Sequence, residues 1–147
     1  MQQLVDEIKK SSAKRILLQL PEGLKTRATA IMSELHNAGI ECILSADPVY
    51  GACDIPVNEA RQLKCDLIVH VGHNKFYRDA EQGFPVMYFP YFIDTELGDI
   101  DFSKIKEERI GIITNIQHMK LLNEVKQKLE KSGKKAIVGG QVLGCWY

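Results

Sequence analysis

Neither sign of charge is in excess: 19 lysines and arginines face 19 aspartates and glutamates in 147 residues. That removes the usual electrostatic ground for a direct nucleic-acid or anionic-membrane partner, because neutralising phosphates needs a basic surplus on some face. Long hydrophobic runs are missing too. The apolar stretch 84–93 is interrupted by Pro85 and Pro90, and it falls far short of the roughly 20 apolar residues that a spanning helix needs. The first ten residues mix charges of both signs without an apolar core, which argues against a signal peptide. Cysteine is scarce: Cys42, Cys53, Cys65 and Cys145 form no Cys-x-x-Cys, so a local zinc knuckle is unsupported. A cytoplasmic protein is expected, and in that reducing compartment a special cysteine is more often a metal ligand or nucleophile than half of a disulfide.

What is present is an ordinary globular balance, 45% hydrophobic and 26% charged, with enough length to bury a core without disulfides. Short apolar runs alternate with segments of helical period, which points to an α/β fold with a mainly parallel sheet. Residues 16–20 read as a buried strand stopped by Pro21-Glu22-Gly23. Leu24, Ala28, Ile31, Met32 and Leu35 then share one face of a single helix, closed at Gly39. A second strand over 41–46 opens into a loop over 47–53. Asp54 is expected to cap the next helix, with Pro56 in its first turn and Val57, Ala60 and Leu63 facing inward. Residues 66–70 form a third strand, and Val86–Phe89, bracketed by prolines, a fourth near an edge. The polar stretch 94–108 reads as a connection.

After it the pattern restarts. A strand over 109–114, a helix with Leu121, Leu122, Val125 and Leu129 on one face, a stop at Ser132-Gly133 and a strand over 135–138 lead into a loop over 139–145. Strand, helix, glycine stop, strand and glycine-flanked cysteine occur in the same order at 15–53 and 109–147, as two copies of one supersecondary unit would. The expectation is a parallel-sheet three-layer α/β unit that is repeated, with the second copy truncated. Residues 1–106 would carry Cys53, and 107–147 would begin a second domain carrying Cys145.

Each repeat delivers its cysteine from the carboxyl end of its second strand, the rim where open parallel sheets bind ligands. Cys53, in Gly51-Ala52-Cys53-Asp54, is expected just before a helix N-terminus, which would favour its thiolate. Cysteines on equivalent loops suit an iron–sulfur cluster held where several units meet. Cys42 and Cys65 fit packing roles. His70 and His73 lie at the same rim and could orient a ligand, or could sit solvated in a strand-end turn. The backbone at Glu22 and Gly23 could meet a negatively charged ligand, or form an ordinary turn. His36 and His118 read as surface residues at helix ends.

Four motifs, Pro21-Glu22-Gly23-Leu24, Tyr50-Gly51-Ala52-Cys53-Asp54, His70-Val71-Gly72-His73 and Gly140-Gln141-Val142-Leu143-Gly144-Cys145, together resemble the N-terminal portion of the diphthamide synthase family. Members have three related α/β domains, each giving one cysteine to a four-iron four-sulfur cluster whose open iron binds S-adenosylmethionine. The resemblance implies reductive cleavage that releases a 3-amino-3-carboxypropyl radical, which adds to a histidine ring of translation elongation factor 2. It implies that Cys53 and Cys145 are metal ligands and that the chain works in a homodimer or heterodimer. The family's third domain and its cysteine are missing, so a truncated or split form is expected. A quinolinate-synthase-like cluster enzyme and a non-catalytic accessory subunit are the alternatives.

Overall fold

The apolar run that begins at Ile16 becomes the centre of a parallel sheet in the computed structural model, which describes residues 2–76 and 83–143. The chain divides into two units, Met1–Pro90 and Tyr91–Tyr147. In the first, β1 (Arg15–Gln19), β2 (Glu41–Leu44), β3 (Leu67–Val71) and β4 (Val86–Phe89) lie in the order β2-β1-β3-β4, all parallel. β4, flanked by Pro85 and Pro90, which lack a backbone donor, takes an edge of the sheet. Helices α1 (Gln2–Lys10), α2 (Glu22–Lys25), α3 (Ala28–Asn37) and α4 (Val57–Gln62) complete the unit. Leu4, Val5 and Ile8 of α1 and Leu35 of α3 are buried.

Register decides which side chains meet. Ile43, Leu17, Ile68 and Val86 form one row across the four strands, and they share a core cluster with Ala60 of α4 and with Cys65. Fully burying a side chain such as Leu17 or Ile68 contributes about 1.5–3 kcal/mol. Side chains alternate faces along a strand, so the next row on this same face, two residues towards the carboxyl ends, is Gln19, His70 and Tyr88.

The single helix expected after β1 is two helices. Arg27 N–H donates to the Leu24 carbonyl, only three residues back, and this tight turn shifts the helical phase between α2 and α3. Lys25 also leaves the helix surface to donate to the carbonyls of Ala46 and Asp47, a long-range tie invisible to periodicity. The next helix also begins later than expected. Pro56 occupies its N-cap position rather than its first turn, and no side chain caps it; the residue before a proline is pushed towards extended backbone, which keeps Ile55 out of the helix and leaves Asp54 without the capping role expected of it.

In the second unit, β5 (Arg109–Thr114) and β6 (Lys135–Gln141) pair in parallel, and α5 (Leu122–Lys131) follows a 3₁₀ turn at Ile116–Leu121. Leu122, Leu129, Ile112 and Ala136 form its core. Two expectations change here. The stretch 94–108 is not a bare connection, because Phe102 and Ile105 pack on this core. Gly139, Gly140 and Gln141 are strand rather than loop: Ile112 pairs with Val138 but Ile113 with Gly140, so Gly139 is the extra residue of a bulge.

The repeat is visible in hydrogen bonds. After α3, Gly39 (φ +80°) donates to the His36 carbonyl and Ile40 to that of Leu35. After α5, Gly133 (φ +81°) donates to Glu130 and Lys134 to Leu129. Both are the same left-handed helix stop. The strand that follows then enters identically, with Glu41 N–H on Lys14 and Lys135 N–H on Glu108.

Candidate functional site

The site builds outward from a polar residue in an apolar strand. Gln19 ends β1 and is almost wholly buried, with 3% of its surface exposed. A buried amide needs partners for both ends. Its Nε2 donates to the Asp54 carbonyl at 2.6 Å, and its Oε1 accepts from His70 Nδ1 at 2.6 Å. His70, fully buried in the middle of the row, tilts against the Tyr88 ring with centroids 5.5 Å apart. Its Nε2 lies 2.9 Å from His73 Nδ1. Gln19 therefore joins the loop carrying Cys53 to His70 at the end of β3 and, through it, to His73 just beyond, all at the carboxyl rim of the sheet.

A second tie fixes the other end of that loop. Lys25 reaches the Ala46 and Asp47 carbonyls at 2.9 and 2.8 Å, and its ammonium pairs with Glu22 at 2.6 Å. Within the loop Asp54 N–H donates to the Gly51 carbonyl. Ser45, buried just past β2, donates to Glu59 of α4 at 2.7 Å.

Cys53 is exposed on this braced loop, whereas Cys42 is half-buried and Cys65 buried. Burial, reinforced by the neighbouring Cys65, pushes the Cys42 thiol up to about 11. Burial also raises Cys65. Both stay protonated at neutral pH, as packing residues do. The expected helix terminus behind Cys53 is absent, since α4 starts only at Val57. Accessibility and the two ties, rather than a helix dipole, distinguish Cys53.

The histidines are not solvated turn residues. Burial, then the neighbouring His73, pushes His70 down to about 4, and burial lowers His73, so both rings are neutral at pH 7. The Glu22 carboxylate is engaged by Lys25, and the Leu24 amide by the Pro21 carbonyl. Gly23 has open space where a Cβ would stand, so no close packing demands glycine there. His36 is exposed as expected, but His118 is half-buried. Its Nδ1 and Asn115 Oδ1 are buried without partners among the described residues. Cys145, with Gly144, lies outside the described residues, and among those described no group of three or more His, Cys, Asp or Glu side chains is assembled for a metal. Sequence reasoning missed Gln19, although a glutamine inside Ile-Leu-Leu-Gln-Leu was the available signal.

Comparison with known proteins decides the family, because the model of the diphthamide synthesis protein family matches residues 20–147. The chain belongs to that family. It is 33% identical to a 2-(3-amino-3-carboxypropyl)histidine synthase of Pyrococcus horikoshii, over 99% of this chain and 46% of that protein. It is also 33% identical to a synthase subunit 1 of Encephalitozoon cuniculi, over 94% of this chain and 42% of that one. A crystal structure of Dph2 from Pyrococcus horikoshii superposes with a TM-score of 0.82 at 32% identity, covering 99% of this chain and 46% of that one. A second Dph2 crystal structure, with a 4Fe-4S cluster, gives 0.81 at 30% identity, covering 99% and 47%. This member of the diphthamide family thus spans less than half the length of these relatives, consistent with an N-terminal portion. Among its described residues no helix is long and apolar enough to cross a membrane.

Proposed function

We propose that this diphthamide-family chain forms part of an iron–sulfur site that transfers a 3-amino-3-carboxypropyl group from S-adenosylmethionine to a histidine of translation elongation factor 2. This is the first step of diphthamide formation, carried out in the cytoplasm by a homodimer or heterodimer. The observation that supports it is the contrast among the described cysteines: Cys53 is exposed on a rim loop tied at both ends, while Cys42 and Cys65 are withdrawn as thiols. An accessible thiol on a braced loop fits a cluster ligand, since iron–sulfur clusters are held by thiolates.

Cys53 and, by the repeat, Cys145 would hold the cluster, with the remaining protein ligand supplied from outside these 147 residues. When bound, the cluster supplies the electron for reductive cleavage of the sulfonium. The chain's own residues bind and orient: His70 and His73 present a neutral imidazole pair on the same rim, and the backbone at Glu22 and Gly23 offers N–H groups to a carboxylate.

Anaerobic reconstitution with iron and sulfide, read by absorbance and electron paramagnetic resonance, tests this. Cys53→Ala and Cys145→Ala should each abolish the cluster, and Cys42→Ala should leave it intact. Equal iron in all three variants would end the proposal. A second reading is an accessory subunit that stabilises a complete partner. That reading predicts partner stabilisation that survives Cys53→Ala.

A further inference from the structure

The polarity of the buried hydrogen-bond chain follows from its first member. Only the amide nitrogen of Gln19 can donate to a carbonyl, so the 2.6 Å bond to Asp54 fixes the amide orientation and turns Oε1 towards His70. Oε1 is purely an acceptor, and His70 Nδ1, 2.6 Å away, must therefore carry its proton. In a neutral ring the other nitrogen is then a lone pair. His70 Nε2 accepts from His73 Nδ1 at 2.9 Å, so His73 is also protonated on Nδ1. The bare nitrogen of His73 is Nε2, on the side of its ring away from His70.

We infer that Gln19 and His70 are positioning residues that set both imidazole tautomers, leaving His73 Nε2 as a hydrogen-bond acceptor at the rim for a ligand group that donates, such as an ammonium. One buried amide thereby braces the Cys53 loop and dictates the proton arrangement of a residue two bonds further along. The use of Nε2 by the ammonium of S-adenosylmethionine rests on the function proposed above; the tautomers do not.

Long-range ¹⁵N–¹H spectra of the full chain, labelled at histidine, read each tautomer directly. His70 and His73 should both show a protonated Nδ1 and a bare Nε2. Gln19→Met, which keeps length but removes the acceptor, should release both rings to mixed tautomers. A protonated Nε2 on either wild-type ring, or an unchanged Gln19→Met spectrum, would overturn the assignment whether or not iron binds. Added S-adenosylmethionine should move the His73 Nε2 resonance and spare that of His70. An unmoved His73 resonance would overturn the acceptor role while leaving the tautomers standing.

Discussion

Acidification should unfold this protein through His70 before most carboxylates respond. In the unfolded chain the imidazole titrates near its ordinary 6.5, and in the fold burial and the neighbouring His73 lower it to about 4. The unfolded state therefore binds the proton first as pH falls, so the stability carried by neutral His70 is complete above 6.5 and is lost progressively down to about 4. Proton linkage for those two values gives a loss of about 2 kcal/mol between pH 7 and pH 5, and roughly 3 kcal/mol once both states are protonated. His73 is lowered by burial as well and adds in the same direction. Urea unfolding at pH 7, 6 and 5, followed by circular dichroism with the denaturant slope held common, would measure it. His70→Gln cannot titrate but can still donate to Gln19 Oε1, and it should flatten the profile by that same amount. A wild-type profile that is already flat from pH 7 to 5, or one left unchanged by His70→Gln, would refute the reasoning.

Gln19→Met should cost about 1–3 kcal/mol in urea unfolding, because it strands the buried Nδ1–H of His70. Adding His70→Leu should recover part of that loss, since removing both partners is far cheaper than removing one; additive losses would show that the pair is not coupled. Lys64 holds a left-handed conformation (φ 55°) at the stop of α4, where Gly39 and Gly133 stand after α3 and α5. Lys64→Gly should therefore raise stability by up to about 1 kcal/mol, whereas Gly133→Ala should lower it by about 1 kcal/mol, both read from the denaturation midpoint. Asp66 accepts from the backbone N–H groups of Lys14 and Arg15 at 2.9 Å, and these bonds hold its carboxyl below the usual range. The stability it lends is present above pH 4 and lost as pH falls further. Asp66→Asn should shrink the acid-induced loss in that window, and an unchanged acid limb would count against the bond.

Most of the architecture was readable because it rests on local signals. The run Ile16-Leu17-Leu18 specified a buried strand, Gly39 and Gly133 marked helix stops that need positive φ, and the prolines around Val86–Phe89 announced an edge. The failures came where distant groups intervene. Lys25, held by Ala46 and Asp47, accompanies the break between α2 and α3, and the bulge at Gly139 depends on its pairing with β5. Phe102 and Ile105 lie in a stretch too polar on average to suggest that two of its side chains enter a core.

By itself, the order of residues determined the α/β class, the glycine stops after α3 and α5, the duplicated unit and the place of His70, His73 and Cys53 near a sheet rim, because each depends on neighbours within about one turn or one strand. Only the tertiary structure decided that Gln19, His70 and Tyr88 fall in one row, that the Gln19 amide grips the loop of Cys53, and that His70 is buried and neutral. Those facts depend on strand register, which brings together residues 51 positions apart, and no local pattern encodes it.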